Sequence, residues 1–506
     1  MSKDSPDYRD APASLDAEQF RALGHRLVDR ISDYFADSVD RAVDPPVAND
    51  TLSELLPQAA LPDRGSEPDR LLDRAAQLLC EHTLQTAHPR HLAYIVGSAS
   101  RLGVLADFLA AAVNTPVQSY PPFAMGVALE HQTIGWMAEL LGYPAGCAGL
   151  FVSGGSMANF LGITAGVRAR ASWDVRAHGL THPDAAKVRV YLTSEAHISV
   201  IRAVEICGLG VNAIHWIATD DQGRMDADEL RSAIDSDRAA GLTPLLVAAS
   251  AGTTSTGSVD PLRTIAALCR EHKLWFHVDG AYGACAVISE LAPDQLAGIR
   301  DADSLVIDPH KWMYLPMEVG CVLTRDRHAL YEAFRRSADY YAWTPQYFPD
   351  GAEALPYRDQ GMQTSRYLRA LKVWLCLQHV GREGYQRMLT DDIALARRLY
   401  DQAAAAPTLE AVTHSLSVTT FRCRPSDLDP EKPADREYLD QINREVLVRL
   451  KASGQVYLSP TVVHGAFVLR ICVVNYNTTR ADIDALVELV IRLGQEVDAE
   501  LRPSRA

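Results

Sequence analysis

Basic excess is the first thing this chain lacks. Its 506 residues carry 49 Lys and Arg against 64 Asp and Glu, a formal net charge of −15. A broad nucleic-acid surface needs the opposite balance. Long apolar runs are missing too: no stretch approaches the ~18 uninterrupted apolar residues of a membrane span. The opening "MSKDSPDYRDAPAS" has no secretory apolar core, so no membrane partner and a cytoplasmic home are expected. Nine cysteines are scattered without close pairing, which predicts neither a disulfide framework nor a zinc site. Cys285, Cys321 and Cys472 each sit inside an apolar run, where a free thiol behaves as a small hydrophobe. Internal repeats, the P-loop spacing and the dinucleotide fingerprint are also absent.

What is present suits a globular protein of two or three packed domains, with 47% apolar and 22% charged residues. Residues 15–39 space their apolar positions as an amphipathic helix does, and that stripe must be covered by something. A Pro-rich polar stretch and a second helical pattern, "DRLLDRAAQLLCEHTL", follow, so the front end reads as a helical arm packed on something larger, a second subunit included. From about residue 101 to 324, helical runs alternate with "GLFVS", "KVRVYLTS", "PLLVAAS", "LWFHVDG", "SLVID" and "GCVLTR". Strands so continuously apolar predict a mostly parallel α/β sheet covered on both faces. Residues 331–367 read as a loop, then helices are expected over 365–381 and 383–404. The last hundred residues offer strands "SLSVTTFRCR" and "AFVLRICVVN" and a terminal helix capped by Thr478 or Thr479, hence a smaller α+β domain.

In such sheets ligands bind beyond the carboxyl ends of the strands, and five strand exits carry chemistry. In "FVSGGSMANFLGITAGVRAR", Ser153, Gly154, Gly155 and Ser156 join a strand to a helix, so free amides and the helix dipole favour an anion there. A structural turn accounts for the glycines equally well. His197 follows the next strand, as a cap, a core residue or a ligand contact. In "LVAASAGTTSTGSVDPL", Ser250, Thr253 and Thr254 place hydroxyls beside Gly252, which also suits a solvated turn. In "LWFHVDGAYGACAVI", His277 and Asp279 share one side of a very apolar strand; a buried Asp needs a partner, and two residues do not make a metal site. In "SLVIDPHKWMYLP", Lys311 leaves the core between His310 and Trp312. It either pairs with Asp308 at the surface or forms a Schiff base with a carbonyl.

Together the exits supply an anion cradle at Gly155 and Ser156, a flat imidazole at His197, an acid at Asp279 and an amine at Lys311. Pyridoxal 5′-phosphate (PLP) needs those four functions for its phosphate, its ring face, its pyridine nitrogen and its aldehyde.

The chain resembles the PLP-dependent group II amino-acid decarboxylases, the aromatic-L-amino-acid and glutamate decarboxylase family. "FVSGGSMANF", "HVDGAYG", "DPHKWMY", "SRYLRALKVW" and "FVLRICVVNYNTT" carry the likeness, in that order along nearly the whole chain. The resemblance implies an aspartate-aminotransferase-like, fold type I architecture: an N-terminal helical, dimer-wrapping segment over 1–98, a large PLP-binding domain over 99–385 and a small C-terminal domain over 386–506. It implies a homodimer with active sites at the interface and decarboxylation of an L-amino acid. Lys311 would be the Schiff-base lysine, His310 a phosphate or active-site contact, and Asp279 the partner of the pyridinium nitrogen. Ala281 would pack on the ring face opposite His197, which would also contact the substrate carboxylate or the departing group. Gly155 and Ser156 would hold the phosphate, with Ser250 or Thr254 as polar support. In "RRSADYYAWTP", Tyr340 matches the family's proton donor, with Tyr341 the adjacent register; a tyrosine there favours amine over aldehyde products.

Two positions depart from the family pattern. Many relatives carry Asn where this chain has Asp308, and well-known aromatic decarboxylases often carry Phe where it has Ile95. Tyr94, Tyr120 and Phe123 can line an apolar pocket, which makes tyrosine, tryptophan or dihydroxyphenylalanine the expected substrates. Decarboxylation of glutamate or another nonaromatic amino acid, and an aminotransferase reaction, are the alternatives; a cofactor-free binding or scaffold protein is a further one.

Overall fold

The apolar runs between residues 148 and 324 assemble into one seven-stranded sheet in the computed structural model, which describes residues 13–45, 49–336 and 346–502. The strands are β1 (Ala148–Val152), β2 (Val188–Thr193), β3 (Ile214–Ile217), β4 (Thr243–Ser250), β5 (Trp275–Asp279), β6 (Ser304–Ile307) and β7 (Gly320–Thr324). Their order is β1-β7-β6-β5-β4-β2-β3. β7 runs antiparallel to both β1 and β6, while the other four pairings are parallel. β1, β2, β4, β5 and β6 therefore all end on the same side of the sheet.

Alternate residues point to opposite faces of a strand, and both faces are dry. Phe151, Tyr191, Val247, Phe276 and Ile307 enter one buried apolar layer. Leu150, Val152, Val190, Leu246, Trp275 and Val306 enter the other. The helix Gly155–Arg170 lies close on this second face, because a Cβ added at Gly166 would come within 2.6 Å of Trp275 Cδ1.

A second sheet, of order β10-β11-β9-β8, follows from β8 (Leu409–Ser415), β9 (Val418–Cys423), β10 (Ser459–Val463) and β11 (Ala466–Cys472). The helices Pro433–Ala452 and Arg480–Leu501 share its apolar core. Thr479, not Thr478, caps the last helix, in a reciprocal pair with Asp482. The helical span Ala370–Ala405 is broken at Gly381, whose φ of 68° takes it out of the helix, so two helices stand where two were expected. Tyr385, Leu389 and Ile393 join the large core, and Leu395, Ala396 and Leu399 the small one.

At the front end, Asp16 and Gln19 close a capping box on the helix Ala17–Ala36. None of that helix is buried within the chain. Arg26 and Arg30 tie it to Asp73 of the helix Pro68–His82. Among the described residues, no helix is long and apolar enough to cross a membrane.

Candidate active site

A cavity of about 570 Å³ opens where those five strands end, lined from all five exits. Gly155 and Ser156 begin the helix after β1, and His197 precedes the helix Ile198–Ile206 after β2. Ser250, Thr253 and Thr254 come from the end of β4, Asp279 and Ala281 from β5, and Asp308, His310 and Lys311 follow β6.

Lys311 Nζ lies 3.0 Å from Asp308 Oδ2. This is the pairing expected of a surface lysine, but it occurs inside the cavity: the Asp308 side chain is 2% exposed and that of Lys311 22%. The second Asp308 oxygen is buried without a partner. Room for this carboxylate comes from glycine, since a Cβ at Gly155 would stand 2.7 Å from Asp308 Oδ2 and one at Gly320 2.7 Å from Oδ1. His310 is fixed through Nδ1, 2.7 Å from the Val319 carbonyl. Burial lowers its pKa, with Asp308 opposing.

Asp279 accepts hydrogen bonds at both oxygens, from Asn159 Nδ2 at 2.9 Å and from the Ala281 amide at 3.1 Å. His277 turns away from the cavity, with its ring nitrogens 2.8 Å from Ser304 Oγ and 2.9 Å from Asn159 Oδ1. Full burial pushes its pKa down to about 4, so it is neutral. His197 is both a cap and a cavity residue: Nδ1 accepts the Ser199 amide at 3.2 Å and lies 2.7 Å from Ser199 Oγ. Burial lowers its pKa as well. The amide of Ser250 donates to Asp260 at 2.7 Å, which fixes the β4 exit.

Tyr94, Ile95 and Val96 cross the cavity from outside the sheet. Arg470 holds this crossing by donating to the Tyr94 carbonyl at 3.1 Å and to the Ser255 carbonyl at 3.2 Å. Within one chain, Tyr120 and Phe123 do not line this cavity. Both pack on the second apolar layer, and the Tyr120 ring meets Phe348 at 5.7 Å. Tyr340 and Tyr341 lie outside the described residues.

Several neighbours escaped the reading of the strand exits. Asn159 sits one turn into the helix after Gly155, where an amide among apolar residues was the available signal. Asp392, which accepts from Trp312 Nε1 at 2.9 Å and Tyr314 Oη at 2.7 Å just after Lys311, had no signal at all.

The residues present fit PLP. Unpaired amides and a hydroxyl at a helix N-terminus suit its phosphate, the His197 imidazole and the small Ala281 its ring, Asp279 its nitrogen, and Lys311 its aldehyde. This sheet, with its cavity at the strand ends and a second small domain, is the fold type I architecture of PLP-dependent enzymes. The conserved domain of pyridoxal-dependent decarboxylases matches residues 50–423. The chain belongs to that family and is a PLP-dependent amino-acid decarboxylase. It is 33% identical to an aromatic-L-amino-acid decarboxylase of Bacillus atrophaeus, over 96% of this chain and 97% of that protein. It is 29% identical to tyrosine decarboxylase 2 of Arabidopsis thaliana, over 91% and 84% respectively. The crystal structure of Oryza sativa TDC with PLP and tryptamine superposes with a TM-score of 0.87 at 26% identity, over 96% of this chain and 99% of that one.

Proposed function

We propose that this decarboxylase acts on an aromatic L-amino acid, with tyrosine, tryptophan and dihydroxyphenylalanine as the leading substrates, and releases the amine and carbon dioxide. One observation carries the choice: among the described cavity-lining residues Lys311 is the sole Lys or Arg, whereas Glu195 and Glu318 add acid. A substrate with a distal carboxylate finds no second cation there, while Tyr94, Ile95, Val96 and Met157 offer an apolar wall. The aromatic substrates named for the relatives point the same way.

Bound there, PLP supplies the conjugated electron sink that takes up the electrons left on Cα when carbon dioxide departs. Lys311 would be the residue that holds the cofactor through its aldehyde. Asp279 would keep a proton at the ring nitrogen, and its two hydrogen bonds, from Asn159 and Ala281, fix the carboxyl group in place for that duty. Gly155 and Ser156 would hold the phosphate with amides and a hydroxyl, supported by Ser250 or Thr254 and His310, while Asp308 meets the cofactor site through its pairing with Lys311. His197 would cover the ring face opposite Ala281 and contact the substrate carboxylate or the departing group. Tyr340 returns the proton to Cα, a step worth about 10²–10⁴-fold for a positioned acid. Two chains form a homodimer, which would cover the apolar stripe of Ala17–Ala36.

The reading is tested by incubating the PLP-loaded protein with the common L-amino acids and dihydroxyphenylalanine, then identifying carbon dioxide, amines, keto acids and aldehydes together. Aromatic amines are expected. Turnover of glutamate in preference to every aromatic substrate would overturn the assignment.

A further inference from the structure

Behind Asp279 lies a chain of buried polar groups whose hydrogen positions follow from those members that can only donate or only accept. The indole Nε1 of Trp275 only donates, and it lies 2.8 Å from Ser304 Oγ. Ser304 accepts there, and its hydroxyl oxygen lies 2.8 Å from His277 Nδ1. The Asn159 carbonyl oxygen can only accept, so neutral His277 carries its proton on Nε2, 2.9 Å away, and takes the Ser304 hydrogen on Nδ1. The two amide hydrogens of Asn159 go to Asp279 Oδ2 and Ser199 Oγ, each at 2.9 Å. Ser199, having accepted, donates to His197 Nδ1 at 2.7 Å, and the Ser199 amide donates to the same nitrogen. The proton of neutral His197 is thus left on Nε2, the nitrogen not engaged by Ser199.

The amide cannot be turned around. A flipped Asn159 would set its oxygen against the Asp279 carboxylate and leave His277 Nε2–H facing an NH₂ group. The packing is built for this arrangement: Asn159 and His277 are both 0% exposed, and a Cβ at Gly162, three residues along the same helix face, would stand 2.8 Å from His277 Cε1.

We propose that Asn159 is a positioning residue that binds the acid and the imidazole of the site into one hydrogen-bonded unit, holding the Asp279 carboxyl group in the orientation that meets the cofactor's ring nitrogen. The inference rests on the reading of Asp279 as the partner of the ring nitrogen. Removing the amide donor frees the Asp279 carboxyl group to turn from the ring nitrogen, while Ser199 loses the donor that orders it toward His197.

The test uses holoenzyme loaded with PLP carrying ¹⁵N in the ring, whose chemical shift separates protonated from bare nitrogen. In Asn159→Leu the shift is expected to move toward the bare value. kcat should fall about ten- to a hundredfold with KM nearly unchanged, the range for a hydrogen bond to a charged group. Asp279→Asn measured alongside separates the two readings. If neither variant moves the shift, the assignment of Asp279 fails and this proposal with it; if Asp279→Asn moves it and Asn159→Leu does not, the proposal alone is overturned. Wild-type holoenzyme with ¹⁵N-labelled histidine gives a check independent of any variant's folding: His277 and His197 should both appear as Nε2–H tautomers, and a Nδ1–H tautomer at His277 would overturn the chain of donors.

Discussion

At Gly97 the chain runs so close to the Lys311 main chain that one methyl group decides the geometry. A Cβ there would overlap the Lys311 carbonyl oxygen and stand 3.3 Å from that of His310, and neither backbone can swing aside as a side chain could. Gly97→Ala should therefore cost about 1–3 kcal/mol, the range for overpacking. It should also loosen PLP, which thermal unfolding of the cofactor-free protein and a PLP titration would both register. Asp392 makes a second test at the same turn. Burial raises its pKa from the ordinary 3.8 to about 7, against the opposing hydrogen bonds of Tyr314 and Trp312. Its protonated form is the one the fold favours, so its contribution to stability is complete below about pH 4 and is lost as pH rises through about 7. Asp392→Asn stays neutral, and its amide oxygen can accept from both donors. The stability of this variant relative to wild type should climb with pH between 4 and 7, by as much as about 1.4 kcal/mol per unit, and level off above; urea unfolding across that range reads the slope. Lys311, Asp279 and His197 were legible in the sequence because reactive residue types stood directly after apolar strands. Asn159 and Asp392 were not, because the partners that give them meaning lie 120 and 80 residues away.

The helix Ala124–Leu141 carries Glu130 at zero exposure, and one guanidinium explains it. Arg366 donates to Glu130 Oε1 at 2.6 Å, to the Phe151 carbonyl at 2.7 Å and to the Val117 carbonyl at 3.2 Å. Glu130 also accepts the Phe151 amide at 3.0 Å, so the pair pins that helix to β1 and to the chain entering Ala370–Ala405. Glu130→Ala leaves the arginine charge buried and unpaired, which should cost about 3–5 kcal/mol in chemical unfolding. The double change Glu130→Leu with Arg366→Met should recover most of that loss, since it removes both charges together. Elements sealed on both faces were the easiest to read, which is why β1, β2 and β4 to β7 stood out as apolar runs. β3, β8 and β10 did not: all three are edge strands, with Trp216 and Val462 open to solvent and β8 largely half-buried. The helix Pro433–Ala452 shares this weakness, because its buried stripe of Leu439, Ile442, Val446 and Leu450 is interleaved with charge.

At the scale of the molecule, an exposed apolar stripe runs along two helices. Phe20 of Ala17–Ala36 stacks on Phe108 of Arg101–Val113 at 6.3 Å, yet the two remain 52% and 49% exposed. Leu105, Leu109 and Val113 continue the stripe along the second helix at spacings of four, and Val28 extends it along the first. A helix with no buried residue of its own gains little by ordering unless a further surface covers it. A second copy of the chain is the occupant we propose, related by a two-fold axis, because Tyr120 and Phe123 stand apart from their own cavity while the expected active site lies between subunits. Phe108→Glu with Leu109→Glu puts two unpaired charges into that contact, where each is costly to bury. Light scattering should then report the 55.4 kDa single chain in place of twice that mass. Decarboxylation should fall with it while the far-ultraviolet signature of the fold persists. A wild-type protein that scatters as a fully active monomer would remove the dimer from this account and leave the stripe to another partner.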